Sequence, residues 1–330
     1  MRWSPPLQLS DLGRLLIALG LVAFTLPAAA QTYPTGMIRF IVPSAAGTPP
    51  DIVSRLIASE VSQAEGWRVI VENKPGAIQS IGLAEALKQP ADGHTLVSMA
   101  LGAVVAPVLL PNVTFRLDTD FAPVIKLASA YHVLVVHPSV PAKSLPELVS
   151  LLKRQPDKLT YSSGGFGTPA HLAGELFKLQ TGVRATHVPY QALPRAIADL
   201  LSGTNQYQFI TPLPVLELIA TGRLRALAVT APTRLPELKD VPTVAEAGFP
   251  GLIIQDFMGV LVKQGTPNDV VARLNTAMNK ALAMPNVRTA LNKMAADPGG
   301  GSPEEFGVFV KSQVAYWGKV VKDAGIKMHQ

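Results

Sequence analysis

The chain contains no cysteine. It therefore has no disulfide, no thiolate that could bind a metal and no thiol nucleophile, so its packed core alone must stabilise the fold. The cysteine that a lipoprotein needs at its leader cleavage point is missing as well. Aromatic residues are only 6% of the chain, and no cluster of Lys and Arg is interleaved with them. This composition argues against a nucleic-acid partner, and the formal charge of +6 suits small anions better.

The chain also lacks the motifs of several enzyme classes. It has no G-x-S-x-G nucleophile elbow, no G-x-x-x-x-G-K-[ST] phosphate loop and no H-E-x-x-H zinc site. Its six histidines show no paired spacing, so we predict neither a metal nor a cofactor. Residues 165–170 fit the loose dinucleotide pattern G-x-G-x-x-A. However, residues 182–190 contain no acidic residue that could bind a ribose.

The first thirty residues predict a signal peptide. Arg2 and Arg14 make this end basic, and residues 15–26 form a short apolar run. The run is shorter than the roughly 20 residues of a membrane span, although an N-terminal anchor helix is the alternative. Small residues at positions 28–30 suit a signal peptidase. We therefore predict cleavage after Ala30 and export to the periplasm as a free, soluble protein.

Strand and helix patterns alternate along residues 31–330, a length suited to two domains. Short β-branched runs followed by helical stripes are typical of β-α-β units. We therefore predict an α/β fold in which mostly parallel sheets are covered by helices. The first predicted helix has an apolar stripe of Ile52, Val53, Leu56, Ile57 and Val61. The predicted strands are residues 37–42, 68–71, 95–99, 132–136, 159–162, 186–188, 207–210 and 224–229.

Four helix starts carry capping signals. In each, a Ser or Thr is followed by proline at or near the first helical position, and most have an acidic residue in the first turn. Ser144 and Ser302 are each followed three residues later by Glu, which makes capping boxes. Thr168 and Thr266 are the other two predicted N-caps.

Two loops of small residues each precede a predicted helix, one in each half of the chain. They cover residues 43–51 and 162–168. Small residues allow the backbone to approach a ligand closely, and a helix N-terminus offers N–H groups and partial positive charge to an anion. Asp51 lies in the first turn after the first loop, where an acid usually serves the helix dipole. The pair of loops predicts a site for a carboxylate or phosphate.

These loops and the segments between them resemble the Bug family, the periplasmic receptors of tripartite tricarboxylate transporters. The resemblance runs from about residue 33 to residue 326. The family's Val-Pro, small-residue loop and Asp correspond to residues 42–51, and its V-E-N-[KR]-P-G corresponds to residues 71–76. Further matching segments are residues 91–96, 171–177, 187–190, 224–230 and 241–248.

The resemblance implies a two-domain, type II periplasmic-binding-protein architecture that closes over its ligand. Domain 1 would hold residues 31–133 and 251–330, and domain 2 residues 134–250. The implied ligand is a small carboxylate, the protein would be a monomer, and membrane transporter subunits would be its further partners. The predicted ligand-binding residues are Ser44, Ala45, Ala46, Gly47, Thr48, Gln79, Ser80, Ser163, Gly165, Phe166, Gly167, Thr168, His171, Tyr190 and Thr211.

The chain departs from the family pattern at four points. Thr48, Pro49 and Pro50 stand where glycines usually continue, and Ile78-Gln79 replaces another glycine-rich step. Phe166 stands where Asn is common, and Ile210-Thr211 where Asp-Asn is common. These changes make the predicted cleft less polar and less acidic. They favour an apolar or aromatic carboxylate as the ligand, with Phe166 and Tyr190 either stacking on a ring or only lining the cleft.

Two other functions fit part of the pattern. An exported hydrolase could use Ser163 with His171, although the sequence shows no third member of a catalytic triad. A receptor that presents the same ligand to a membrane sensor would have the same binding residues. We expect a binding protein rather than an enzyme.

Overall fold

The computed structural model describes Trp3 and residues 33–326. The predicted signal peptide and its cleavage point after Ala30 lie outside the described residues. Among these residues the strands are β1 (Ile38–Val42), β2 (Val69–Asn73), β3 (Thr95–Ala100), β4 (Phe121–Tyr131), β5 (Val133–Val136), β6 (Thr160–Ser163), β7 (Thr186–Pro189), β8 (Tyr207–Ile210), β9 (Arg225–Val229), β10 (Gln255–Lys263) and β11 (Ala296–Gly300).

Helices alternate with these strands over most of the chain. They are α1 (Pro49–Glu65), α2 (Ser80–Leu87), α3 (Leu101–Leu109), α4 (Leu145–Arg154), α5 (Pro169–Thr181), α6 (Leu193–Leu201), α7 (Leu216–Ala220), α8 (Asn268–Ala283), α9 (Pro285–Lys293) and α10 (Pro303–Asp323).

The strands form two mixed sheets. The first has the order β11-β4-β10-β3-β1-β2, and the second has the order β7-β6-β8-β5-β9. We call the part of the chain built around the first sheet the first lobe, and the part built around the second sheet the second lobe. The predicted α/β fold is confirmed, but the prediction of mostly parallel sheets is wrong, because antiparallel pairs form a large part of both sheets.

Each sheet has a parallel part and an antiparallel part. In the first lobe β1 pairs in parallel with β2 and β3, whereas β10 and β11 pair antiparallel. In the second lobe β6 pairs in parallel with β7 and β8, whereas β5 runs antiparallel to β8 and β9. The carboxyl ends of the parallel strands meet at one edge of each sheet, which is where α/β proteins bind ligands.

The chain crosses between the lobes after β4 and again before β10. At these crossings Thr230 ties three segments together: its Oγ1 accepts from His132 N at 2.9 Å and donates to Ile254 O at 2.8 Å. Gln255 Nε2 donates to the Tyr131 hydroxyl at 3.0 Å. The crossings lie near the predicted domain boundaries, and the boundaries themselves stay a prediction.

The apolar stripes fill the space between helices and sheets. In α1, Val53, Ile57 and Val61 are buried as predicted, but Ile52 is 43% exposed, because it lies on the flank of the stripe. Phe306 of α10 occupies the space beside Gly259 of the first sheet, where a Cβ would come within 2.0 Å of its ring. The second lobe buries Leu172 and Leu176 of α5 against its sheet.

Three of the four predicted N-caps are confirmed. Ser144, Thr168 and Ser302 each accept a hydrogen bond from the N–H of the third helical residue. Ser302 forms a complete capping box, but the box predicted at Ser144 is incomplete, because Glu147 Oε2 accepts from Lys143 N instead of Ser144 N. The prediction for Thr266 is wrong. Helix α8 begins at Asn268 with Pro267 as its N-cap, because the Thr266 hydroxyl turns back and donates to Lys263 O at 2.7 Å.

Candidate ligand-binding site

The loops at the carboxyl edges of the two sheets come into contact. Ile78, in the loop that follows β2, lies against Gly167, in the loop that follows β6. A Cβ built on Gly167 would be 2.7 Å from Ile78 Cδ1. The structure thus brings Gly167, a predicted site residue of the second lobe, against Ile78 of the first lobe, which is not among the predicted site residues.

The loop between β1 and α1 is held by the buried carboxylate of Asp51. Its Oδ2 accepts from Gly47 N at 2.9 Å. Its Oδ1 accepts from Asn73 Nδ2 at 2.8 Å and from Arg55 Nε at 2.9 Å, and Asn73 Nδ2 also donates to Ser44 O at 3.0 Å. Asp51 therefore fixes the loop, and the N–H of Gly47 is already taken.

Asp51 is ionised in this network. Burial by itself would raise its pKa, but the hydrogen bonds from Gly47 and Asn73 and the charge of Arg55 outweigh burial and lower the pKa below its ordinary value. The negative charge lies in the first turn of α1, where it interacts favourably with the helix dipole. The expected structural role of this acid is consistent with this geometry.

The start of α1 has few donors left for a ligand. Pro49 and Pro50 occupy its first two positions and have no N–H. Thr48 does not cap the helix: its Oγ1 donates to Ala45 O at 2.6 Å. Ser44, Ala45 and Ala46 have no acceptor for their N–H groups among the described residues. Among the predicted site residues of this loop, these three therefore have backbone N–H groups that can still donate to a ligand.

A left-handed turn follows β2 and leads into α2. Ala77, Ile78 and Gln79 all have positive φ, at 43°, 50° and 73°. Gln79 Oε1 accepts from Ala100 N, at the end of β3, at 3.0 Å. Ser80 is buried and starts α2, and its N–H donates to Ala77 O. The two predicted residues Gln79 and Ser80 thus lie at the junction of this turn and α2.

The loop between β6 and α5 is held by neutral groups. Ser163 Oγ accepts from Gly165 N at 3.1 Å. Thr168 Oγ1 donates to Gly165 O at 2.7 Å and accepts from His171 N at 3.4 Å. Gly167 N donates to His171 Nδ1 at 3.1 Å. His171 therefore positions the loop through a ring nitrogen that must be unprotonated to accept this bond.

Beneath this loop lies a cluster of rings. His187 Nε2 is 2.7 Å from Ser163 Oγ, its ring is 4.4 Å from that of His171, and it stacks on Tyr161 at 4.8 Å. Phe166 packs edge-on against both histidines, at 5.3 and 5.1 Å between centroids. Burial lowers the pKa of both histidines to about 4, so both are neutral at neutral pH. Phe166 thus has partners inside the second lobe.

Glu175 and Lys178 close the far side of the ring cluster. The Tyr161 hydroxyl donates to Glu175, and Lys178 Nζ lies 2.8 Å from Glu175 Oε1. Burial would raise the pKa of Glu175, but the hydrogen bonds from Lys178 and Tyr161 outweigh it and lower the pKa. The carboxylate is therefore paired within the lobe and does not face the cleft loops as an open charge.

The remaining predicted residues lie at the same edge of the second sheet. Tyr190 follows β7, and its hydroxyl donates to Asp199 at 2.8 Å while accepting from Asn205, so its polar end is bound to α6. Thr211 follows β8 and is half-buried. Sequence reasoning did not select Ile78 or His187 as site residues. The signal for Ile78 was an isoleucine at a glycine-rich step, and the signal for His187 was its place in residues 187–190, a segment that matches the family.

The pairing proposed for a hydrolase is wrong. Ser163 pairs with His187 rather than His171, because His171 Nδ1 accepts from Gly167 N instead. The buried Nδ1 of His187 has no hydrogen-bond partner among the described residues, so no carboxylate orients this imidazole as a triad requires. In residues 33–326 no group of three or more His, Asp or Glu side chains could hold a metal ion. No described helix is both long and apolar enough to cross a membrane.

Residues 53–326 match the family described as the tripartite tricarboxylate transporter family receptor, TctC. The chain belongs to this family. It is also similar to the protein BugT of Bordetella pertussis, with 32% identity over 96% of this chain and 99% of BugT. The TctC receptors are solute-binding proteins, not enzymes, so the predicted Bug-type periplasmic receptor is confirmed and the hydrolase alternative is not supported.

Solved structures of similar proteins show the same fold. R. palustris Rpa4515 with adipate is 34% identical, with a TM-score of 0.78 over 89% of this chain and 99% of that one. MatC from Rhodopseudomonas palustris with bound malate is 30% identical, with a TM-score of 0.76 over 88% of this chain and 100% of that one. The bound molecule is a dicarboxylate in both.

Proposed function

We propose that this TctC receptor captures a small carboxylate without an amino group, aromatic or dicarboxylic, between its two lobes. The observation that carries the proposal is the meeting of the two sets of loops at Ile78 and Gly167. The dicarboxylates bound to Rpa4515 and MatC support the class of ligand. The ligand would be held by backbone N–H groups and water, since no Lys or Arg is among the predicted site residues.

The second lobe offers the better place for the carboxylate. Helix α5 has no acid in its first turn, so its partial positive charge is not neutralised. The N–H groups of Gly164 and Ala170 have no acceptor among the described residues. Together they can donate to an anion at the start of this helix.

An amino group on the ligand would find no partner in these loops. Asp51 is the only acid in the two loops, and both its oxygens already accept hydrogen bonds. An ammonium buried without a carboxylate partner is strongly unfavourable. We therefore expect discrimination against amino acids.

A thermal-shift panel tests the ligand class. Adipate, succinate, malate and benzoate are compared with aspartate and glutamate at matched pH. A ligand at about 100 times its dissociation constant stabilises the fold by roughly 2.7 kcal/mol, which is a readily measured shift. The proposal is wrong if only the amino acids raise the melting temperature.

We further propose that the ligand-loaded receptor, a monomer, docks on membrane transporter subunits after its leader is removed at Ala30. The lobes, with residues 31–133 and 251–330 in one and 134–250 in the other, would close around the ligand. N-terminal sequencing of periplasmic protein should start at Gln31. Small-angle scattering should show compaction when ligand is added, and an unchanged profile at saturation would contradict closure.

A further inference from the structure

The turn at residues 77–79 has an unusual backbone. Three consecutive non-glycine residues have positive φ: Ala77 at 43°, Ile78 at 50° and Gln79 at 73°. L-residues rarely adopt this region, and for a β-branched residue such as Ile78 it is an outlier. Strain of this kind persists only where surrounding contacts over-determine it, and it is concentrated at functional sites.

Contacts on both sides hold the turn in place. Gly76, with φ of 125°, enters it so close to Ile81 that a Cβ on Gly76 would lie 2.5 Å from Ile81 Cδ1. On the other side Gln79 Oε1 accepts from Ala100 N at 3.0 Å. The turn is thus fixed between α2 and the end of β3, and it projects the side chain of Ile78.

Ile78 fills the space between two glycines. Its Cδ1, Cγ2 and Cγ1 lie 2.7, 3.0 and 3.3 Å from the place that a Cβ on Gly167 would take. Its Cγ2 lies 3.1 Å from the corresponding place on Gly102. Gly167 belongs to the second lobe and Gly102 to the first, so this one apolar side chain contacts both lobes.

We propose that Ile78 is the specificity-determining residue of the cleft, a proposal that rests on the proposed function. It forms an apolar wall beside the carboxylate-binding loops, and the ligand packs its apolar part against this wall. A methylene chain or ring gains contact there. A hydroxyl group at the same place loses its water without gaining a partner, which costs binding free energy.

The wall selects between ligands that differ by one hydroxyl group. Succinate and malate are such a pair, and both are small dicarboxylates. An apolar pocket rejects a ligand that carries an added hydroxyl by up to about 100-fold. We therefore expect the receptor to prefer succinate to malate by roughly 10- to 100-fold.

The test compares calorimetric dissociation constants for succinate and malate in three proteins. They are the wild type, Ile78→Gly, and the matched control Ala77→Gly. Ala77 lies in the same turn, also has a positive φ and is exposed. Its change to glycine therefore relieves the backbone in the same way but keeps the side chain of Ile78. In Ile78→Gly the preference should fall at least roughly tenfold, and in Ala77→Gly it should stay within about twofold of the wild type.

The results in these three proteins either support or overturn the role of Ile78. An unchanged preference in Ile78→Gly, or the same loss in Ala77→Gly, overturns the role of Ile78 but leaves the receptor a carboxylate binder. If the wild type binds neither these acids nor any other carboxylate of the panel, both proposals fail. The melting temperature of the ligand-free Ile78→Gly protein verifies folding. Ile78→Val, which keeps the β-branch and removes only Cδ1, should shift the preference in the same direction by less.

Discussion

Helices α1 and α5 begin in nearly the same way but differ in what they can bind. Each follows a loop of small residues, and each starts with Thr-Pro, at Thr48-Pro49 and at Thr168-Pro169. The α1 start then has a second proline and the buried Asp51, whereas the α5 start has Ala170 and His171. The same local signal therefore precedes a neutralised helix start in one lobe and an unneutralised one in the other.

Because of this difference, we expect the two lobes to contact different parts of the ligand. Asp51 already supplies the negative charge that the start of α1 favours, and a ligand carboxylate placed there would be repelled. The α5 loop is held by His171 and His187, which are neutral, so it keeps its preference for an anion. We infer that the second lobe binds the carboxylate and the first lobe, through Ile78, contacts the rest of the ligand.

The largest effect is expected at Gly167. A valine there would be β-branched at a φ of 73°, and its Cβ would lie 2.7 Å from Ile78 Cδ1. Gly167→Val should prevent closure and abolish the thermal shift that a carboxylate produces, which is about 2.7 kcal/mol at 100 times the dissociation constant.

Gly164→Ala is the matched control in the same loop. Its Cβ would make an ordinary contact of 3.8 Å with Thr168 Cγ2, and its φ is not positive, so ligand binding should be retained. A normal thermal shift in Gly167→Val would show that the two lobes do not meet there in the bound state. Circular dichroism confirms that both variants fold.

The second-largest effect is expected for a substitution of Asp51. Asp51→Ala removes the acceptor for Gly47, Arg55 and Asn73 from a buried position. Because hydrogen bonds to a charged group contribute about 1.5–3 kcal/mol, we expect the free energy of unfolding in urea to fall by about 2–3 kcal/mol. Carboxylate affinity should change little once the protein is folded, since the proposed site of the anion is at the start of α5.

Asp269→Asn provides the comparison for Asp51. Asp269 also lies in the first turn of a helix, but it is exposed. Asp269→Asn should lower the free energy of unfolding by about 0.3–1 kcal/mol, because only the interaction with the helix dipole is lost. Equal losses in the two variants would mean that Asp51 also acts only on the dipole and does not organise the loop.

The histidine-held loop should be sensitive to acid. Burial lowers the pKa of His171 and His187 to about 4, below the unfolded value of about 6.5. Between these pH values the unfolded chain binds more protons, so stability falls as the pH decreases from about 6.5 to 4. Asp256, whose pKa burial raises to about 6, acts in the opposite direction and offsets part of this loss.

His171→Asn isolates one of these groups. Asn can accept from Gly167 N through its side-chain oxygen, but it does not titrate. The dependence of unfolding free energy on pH between 6.5 and 4.5 should become shallower by up to about 1.4 kcal/mol per pH unit. An unchanged slope would show that His171 is not buried as a neutral ring.

Local sequence patterns predicted the α/β fold, the parallel strands and most helix starts, because these depend on periodicity and capping. The antiparallel strands β4, β10 and β11 were missed. They include Pro123, Gly259 and Pro298, which weaken any strand pattern, and they form because partners far along the chain pair with them. Ile52 was predicted to belong to the apolar stripe of α1 but is exposed, because helical periodicity does not define where the edge of a stripe lies.

The site was predictable as a pair of loops but not as a set of contacts. Glycine and small residues identified both loops. The sequence could not show that Ser163 would pair with His187, 24 residues away, or that Ile78 would reach Gly167 in the other lobe. Both contacts depend on how the lobes and strands assemble, and neither residue pair follows a recognisable spacing.

The smallest effect compares the two threonines directly. Thr168 Oγ1 accepts from His171 N at 3.4 Å and donates to Gly165 O at 2.7 Å, so it both caps α5 and ties the loop. Thr48 Oγ1 donates to Ala45 O but does not cap α1. Thr168→Ala should therefore lower the unfolding free energy by about 1 kcal/mol.

Thr48→Ala should lower the unfolding free energy by less than Thr168→Ala, because it loses one partly exposed hydrogen bond and no cap. Thr168→Ala should also weaken carboxylate binding, since the loop that it ties presents the donors of the second lobe. Urea unfolding and calorimetry on both variants measure the two effects. If Thr48→Ala weakened binding more than Thr168→Ala did, the anion would lie at α1, and the division of work between the lobes would be the reverse of the one inferred from Asp51.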